Sequence, residues 1–316
     1  MRIQSPLSLR FFLVSSMVVF GAYAQPYGYV ANASGNNVSV INRANNTLKA
    51  LIPVSGTPAG VAVAPGGAFV FVTAQAANQV AVINTSTNTV VGDIPVGLNP
   101  TKIAISPNGS MAYVANQGGN SVSVIQISTR TVVATIPVGS RPAGIAFTPD
   151  GSHVLVTNLF SSNVSVISTA THSVVATWHT LSGPSGVVVS PLGTVAYVAN
   201  QYSNVVTVHN VATGAIVGSI AGFAYPNALA ITPTGDRLYV SNGNLATVSV
   251  VSTSNDAVIG QIVIGLLPTA LALSPDGSML YSANSHGYSV SVINCALNTA
   301  VTISRVGIIP VAIGLQ

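Results

Sequence analysis

Between residues 140 and 181 the apolar positions fall into four short runs separated by turn-forming residues. PAGIAF (Pro142–Phe147) leads into TPDG (Thr148–Gly151). There proline presets the backbone, aspartate bonds nearby amides and glycine accepts a positive φ. HVLVTN (His153–Asn158) follows, then the loop LFSS. NVSVIS (Asn163–Ser168) alternates apolar and small polar residues, the period of a strand. TATH turns again, and SVVATW (Ser173–Trp178) ends the unit. The pattern predicts four antiparallel strands with short connections. Weak alternation in the first two runs predicts strands buried on both faces. Helix is not expected downstream of the N-terminal segment, because Val, Ile, Thr, Asn and Gly dominate and charged helix formers are scarce.

The unit recurs. The residue before the V-A-N segment is Tyr29, Phe71, Tyr113, Leu155, Tyr197, Tyr239 and Tyr281, always 42 positions apart. The proline opening each unit keeps the same step from Pro58 to Pro310. Seven copies without insertion, each with several short strands, mark the blades of a propeller. The repeats begin on a second strand, YGYVAN (Tyr27–Asn32), and end on a first strand, PVAIGLQ (Pro310–Gln316). The C-terminal segment is therefore expected to supply the innermost strand of the N-terminal blade, which closes the ring and removes its open edges. The expected fold is all-β: one seven-bladed β-propeller of 42-residue repeats over residues 25–316.

The first 24 residues follow another pattern. Arg2 and Arg10 precede the apolar run Phe11–Phe20, and Ala22 and Ala24 put small residues where a signal peptidase reads. A secretory signal peptide cut after Ala24 is expected, and with it a secreted, periplasmic or cell-surface location. The run is too short to span a bilayer comfortably, and no transmembrane segment is expected in the mature chain.

The Y-V-A-N and V-S-V-I segments, the TRTVVATIPVG tail (Thr129–Gly139) and the P-x-G-I-A opening resemble the YVTN family of β-propeller repeats. The resemblance covers residues 26–316 and implies the propeller fold. Families of this fold include exported binding proteins, surface-layer components, cytochrome-associated propellers, lactonases and lyases, so the resemblance leaves activity open. The family often carries Asp after V-S-V-I. Here those positions hold Asn42, Asn84, Gln126, Ser168, Asn210, Ser252 and Asn294.

That departure fits the composition. Charged residues make up 4% of the chain, and it has no glutamate. Removal of Arg2 and Arg10 takes the formal charge from +4 to +2, too little and too dispersed for nucleic acid or an anionic membrane. The single Cys295 excludes an internal disulfide and a cysteine metal cluster.

Candidate chemistry is sparse. Asp150 and Asp276 sit in P-D-G turns and Asp236 follows the equivalent turn, while Asp256 sits in another turn and Asp93 on an outer strand. No carboxylate pair is expected to meet at one substrate. His153 and His172 are assigned to the face opposite the channel mouth, His179 to the rim, and His209 to packing in place of an isoleucine. No catalytic residue, metal site or cofactor is expected. One anomaly stands out two residues after the repeat proline, where six units have Gly or Ala and one has Lys102. With Arg141, Tyr225, Asn227 and His286, Lys102 is assigned to a polar funnel at the channel mouth for an anionic or carbohydrate-like ligand. The expected function is therefore a monomeric, non-enzymatic scaffold binding a protein, glycan or cell-surface component. A structural surface-layer or adhesive repeat is one alternative and a lactonase- or lyase-type propeller enzyme the other.

Overall fold

The computed structural model describes residues 27–304 and 306–316. The expected signal peptide and its cleavage point after Ala24 lie outside the described residues. Among the described residues there are seven sheets of four antiparallel strands each, and one short 3-10 turn at Gln75–Ala77. No helix among them is long and apolar enough to cross a membrane.

The first blade shows the closure expected from the sequence. It runs β28 (Pro310–Leu315), β1 (Tyr27–Asn32), β2 (Asn37–Asn42) and β3 (Thr47–Pro53). β28 pairs antiparallel with β1, placing Ala312 opposite Ala31 and Ile313 opposite Val30. The other innermost strands are β4 (Pro58–Val63), β8 (Pro100–Ile105), β12 (Pro142–Phe147), β16 (Pro184–Val189), β20 (Pro226–Ile231) and β24 (Pro268–Leu273). Each contacts the next around the ring, β24 touching β28 and β28 touching β4.

The recurrent side chains each have a structural task. The asparagine ending Y-V-A-N is buried, and its amide donates to hydroxyls of the neighbouring third strand, as Asn116 does to Ser121 and Ser123 at 3.1 and 2.9 Å. This satisfies polar groups that would be costly to bury alone. Surface asparagine serves the turns. Asn36, Asn78, Asn120 and Asn204 adopt positive φ, which asparagine tolerates better than most residues. Their side-chain oxygens accept from the backbone N–H of Thr57, Asn99, Arg141 and Tyr225, stitching four of the seven blades to the next. A chain nearly without charge thus keeps a polar surface through turn geometry.

Hydroxyls alternate around the ring. Thr73, Thr157 and Ser241, on second strands, accept from the N–H of Gly60, Gly144 and Ala228 at 2.7, 2.7 and 2.9 Å. In the intervening blades the second strand has Ala115, Ala199 or Ala283, and the hydroxyl moves to the first strand as Thr101, Ser185 or Thr269. Seven is odd, so alternation must fail once; the closing blade, with Ala31 and Val311, has neither hydroxyl.

Close approach of inner strands sets residue size. A Cβ on Gly144 would press on the Ser185 carbonyl oxygen of the next blade. Gly144→Ala is expected to lower stability by about 1–3 kcal/mol in urea unfolding. Gly260→Ala, where a Cβ meets nothing within 4 Å, is expected to leave stability unchanged.

Candidate active site in the central channel

All seven inner strands line a central cavity of about 190 Å³. Its wall is largely apolar, with Ile145 and Leu271 among the lining residues. The polar side chains in it are Lys102, Ser185, Asn227 and Thr269. Lys102 is the one ionisable residue lining this cavity. Burial alone pushes its ammonium below the ordinary lysine value, because the low-polarity wall disfavours the charged form. The Ser185 hydroxyl is directed to backbone carbonyls, those of Ala199 and Asn227 at 3.2 and 3.1 Å. Thr269 likewise donates to the carbonyls of Ala283 and Pro310, both at 3.3 Å.

Of the five residues assigned to the funnel, the structure brings two into this cavity, Lys102 and Asn227. Arg141 is exposed beside it, at the same end of the blades, in a separate surface dent with Asn99 and Gln117. Its guanidinium lies 4.6 Å from the Phe160 ring centre and donates to Gln117 Oε1 at 3.3 Å. Tyr225 packs tilted on Tyr202, ring centres 6.0 Å apart. His286 is exposed on its loop beside Ser285. Arg141 and Tyr225 both occupy left-handed backbone positions just before the repeat proline, which aims them at the rim rather than the channel.

The carboxylates lie elsewhere. Hydrogen bonds from Thr148 and Ser152 hold Asp150 down at about 2, and Ser274 and Ser278 do the same for Asp276. Burial pushes Asp256 up. Among the described residues no three His, Cys, Asp or Glu side chains are grouped to hold a metal ion.

Residues 93–175 match a lactonase family. The family model is described as Lactonase, 7-bladed beta-propeller, and the matched segment contains Lys102 and Arg141. A search of curated proteins found no match. Among solved structures, the chain is similar to Kuenenia stuttgartiensis hydrazine synthase, at 23% identity over 90% of this chain and 99% of that one, with a TM-score of 0.79. It is also similar to a protein from Bacteroides uniformis described as a putative 6-phosphogluconolactonase, at 17% identity over 93% and 100%, TM-score 0.78. Another so described, from Bacteroides fragilis, is 16% identical over 94% and 99%, TM-score 0.76. At these identities the neighbours show the fold. The lactonase-family match overturns the expectation of a non-enzymatic binding scaffold and favours the lactonase-type alternative. A catalytic site was sought in the sequence as a carboxylate or histidine cluster; a desolvated lysine is another residue type that can serve as a base.

His209 fills a packing position, as the sequence suggested, and is fully buried. Its ring stacks on Trp178 at 5.8 Å and 15°. Since the Gly214 carbonyl can only accept, Nδ1 carries the proton and donates to it at 3.1 Å; Nε2 then accepts from Thr207 Oγ1 at 3.0 Å. Burial lowers its tendency to protonate below the ordinary value of 6.5. The unfolded chain therefore binds more protons just below that value, so stability is full above it and falls as pH drops toward the depressed folded value. His209→Ile is expected to flatten this acid slope in thermal melts taken across that range.

Proposed function

We propose that the protein hydrolyses a lactone in the central channel, with Lys102 as general base. One observation carries this reading: a single ionisable side chain lines the channel, at a ring position where the other six blades have Gly or Ala. Opening a lactone requires a base to take a proton from water as its oxygen bonds to the carbonyl carbon. The neutral amine of Lys102, favoured by burial, takes that proton. The tetrahedral adduct collapses with cleavage of the ring carbon–oxygen bond. The Lys102 ammonium returns the proton to the departing ring oxygen, leaving a hydroxy acid. The Asn227 amide, in the same wall, is the donor for the oxyanion. Ser185 and Thr269 shape the cavity and are not nucleophiles, because their protons are engaged by backbone carbonyls.

The lactonase-family match over the Lys102 segment supports this reading, and a cavity of about 190 Å³ suits one small ring. A sugar-derived lactone is the favoured substrate class, supported by the lactonase-described neighbours. In the same reading the repeats are of YVTN type and the chain is exported. The test is pH-stat titration of the acid released from a panel of γ- and δ-lactones by the wild type and by Lys102→Met. Release above the spontaneous rate, lost in the variant, is expected. No release by the wild type, or equal release by the variant, overturns the proposal.

A further inference from the structure

The end of the blades opposite the channel mouth carries a groove of about 520 Å³ between the fourth and fifth blades, residues 142–179 and 184–220. Two departures from the repeat, Leu155 and Trp178, line it, and Trp178 connects them to two more, Gly214 and His209. Leu155 stands where every other blade has Tyr or Phe. In two blades that aromatic reaches a turn residue of the next: Tyr113 Oη bonds His172 Nδ1 at 2.8 Å, and Tyr281 Oη bonds Asn46 Oδ1 at 3.5 Å. One repeat on from His172, the turn residue is Gly214, so the fourth blade lacks the ring and the fifth lacks its polar partner. Trp178, in place of an isoleucine, lies over Gly214 and stacks on His209. The equivalent groove beside Tyr239 is about 280 Å³. Trp178 therefore fills only part of the space that the missing aromatic leaves.

The groove has an apolar wall of Leu155, Val166 and Trp178 and a polar rim of Asp150, Ser152 and His153. The proton positions on that rim follow from the contacts. Asp150 is ionised and accepts from Ser152 Oγ at 2.7 Å. The single Ser152 proton is used there, so His153 Nδ1, 2.8 Å from the same oxygen, must donate to it. In the tautomer that carries its one N–H at Nδ1, Nε2 is left as an acceptor.

We propose that this groove binds a small phenol, its ring seated where a tyrosine stands in the other blades and its hydroxyl donating to His153 Nε2. A cavity lined by apolar side chains accepts an aromatic guest readily. The rim selects a hydrogen-bond donor, and the Asp150 carboxylate rejects an aromatic acid. The site is separate from the channel and does not rest on the lactonase reading.

Trp178 is the sole tryptophan of the chain, so its indole N–H resonance reports on the groove alone. Titration of the whole protein with p-cresol is expected to shift that resonance and raise the melting temperature. Toluene, without the hydroxyl, is expected to bind about tenfold more weakly, as befits one hydrogen bond, and benzoate not at all. Leu155→Tyr should fill the groove and abolish cresol binding; Leu155→Phe serves the same purpose should the first variant fail to fold. An indole signal unmoved by cresol, equal affinity for cresol and toluene, or undiminished binding by a folded Leu155 variant overturns the proposal.

Discussion

Replacing Lys102 with methionine is expected to make the protein more stable and inactive at once. The side chain sits in the ring of inner strands, and burial is the sole cause lowering its ammonium pKa. A charge held there without a compensating partner costs stability. Methionine keeps the length and removes the charge; because Lys102 is only part-buried, the gain should be about 1 kcal/mol near neutral pH, the low end for one unsatisfied buried polar group. The pH dependence follows from the direction of the shift. Between the lowered folded value and the ordinary value of 10.5 the unfolded chain binds more protons. Wild-type stability should therefore rise with pH through that window, and the advantage of the variant should shrink by the same amount. Loss of the base should lower lactone turnover by about 10²–10⁴-fold. Denaturant unfolding at neutral and alkaline pH, beside the pH-stat assay, reads both effects. Such an exchange of stability for chemistry is usual at active sites. A variant no more stable than wild type would show that the ammonium finds adequate solvation in the channel.

Deleting Pro310–Gln316 is expected to abolish cooperative folding. That segment is the innermost strand of the first blade, and it bonds to β1 along its length. Ala312 and Ile313 are buried, each in a different hydrophobic cluster, and β28 also touches β4 and β24 on either side. Its loss removes one of seven staves from the channel and bares both faces of the gap. Burial of one large apolar side chain contributes about 1.5–3 kcal/mol, and total stability is only about 5–15 kcal/mol. The exposed edge of β1 would also recruit other chains. The truncated protein should show a broad melt by circular dichroism and elute as aggregates in size-exclusion chromatography. A monomer with the wild-type melting temperature would mean that six complete blades and one three-stranded blade suffice.

The channel and the underside groove differ in how far they could be read in advance. Lys102 was visible as the one long side chain in a column of Gly and Ala, because a strict repeat turns any exception into a signal. What Lys102 does was not visible, since charge, partner and solvation depend on the six other strands around it. Arg141 carries the same charge three residues from the equivalent position, Gly144, yet it lies on the rim over Phe160. A left-handed backbone at Arg141 sends it there, and no charge count separates the two. Leu155, Trp178, His209 and Gly214 were each legible as single exceptions. Their convergence was not, because Leu155 and Gly214 lie on different blades.

The sequence by itself determined the number of blades, their strands, the turn chemistry and the closure of the ring. Strand periodicity and turn residues act within a few positions, and an invariant step of 42 residues carries that local information around the whole chain. Only the tertiary structure decided which exceptions share a surface. Contacts between blades join positions such as Tyr113 and His172, 59 residues apart, and the environment of a side chain is set by packing across that interface rather than by its neighbours in the chain.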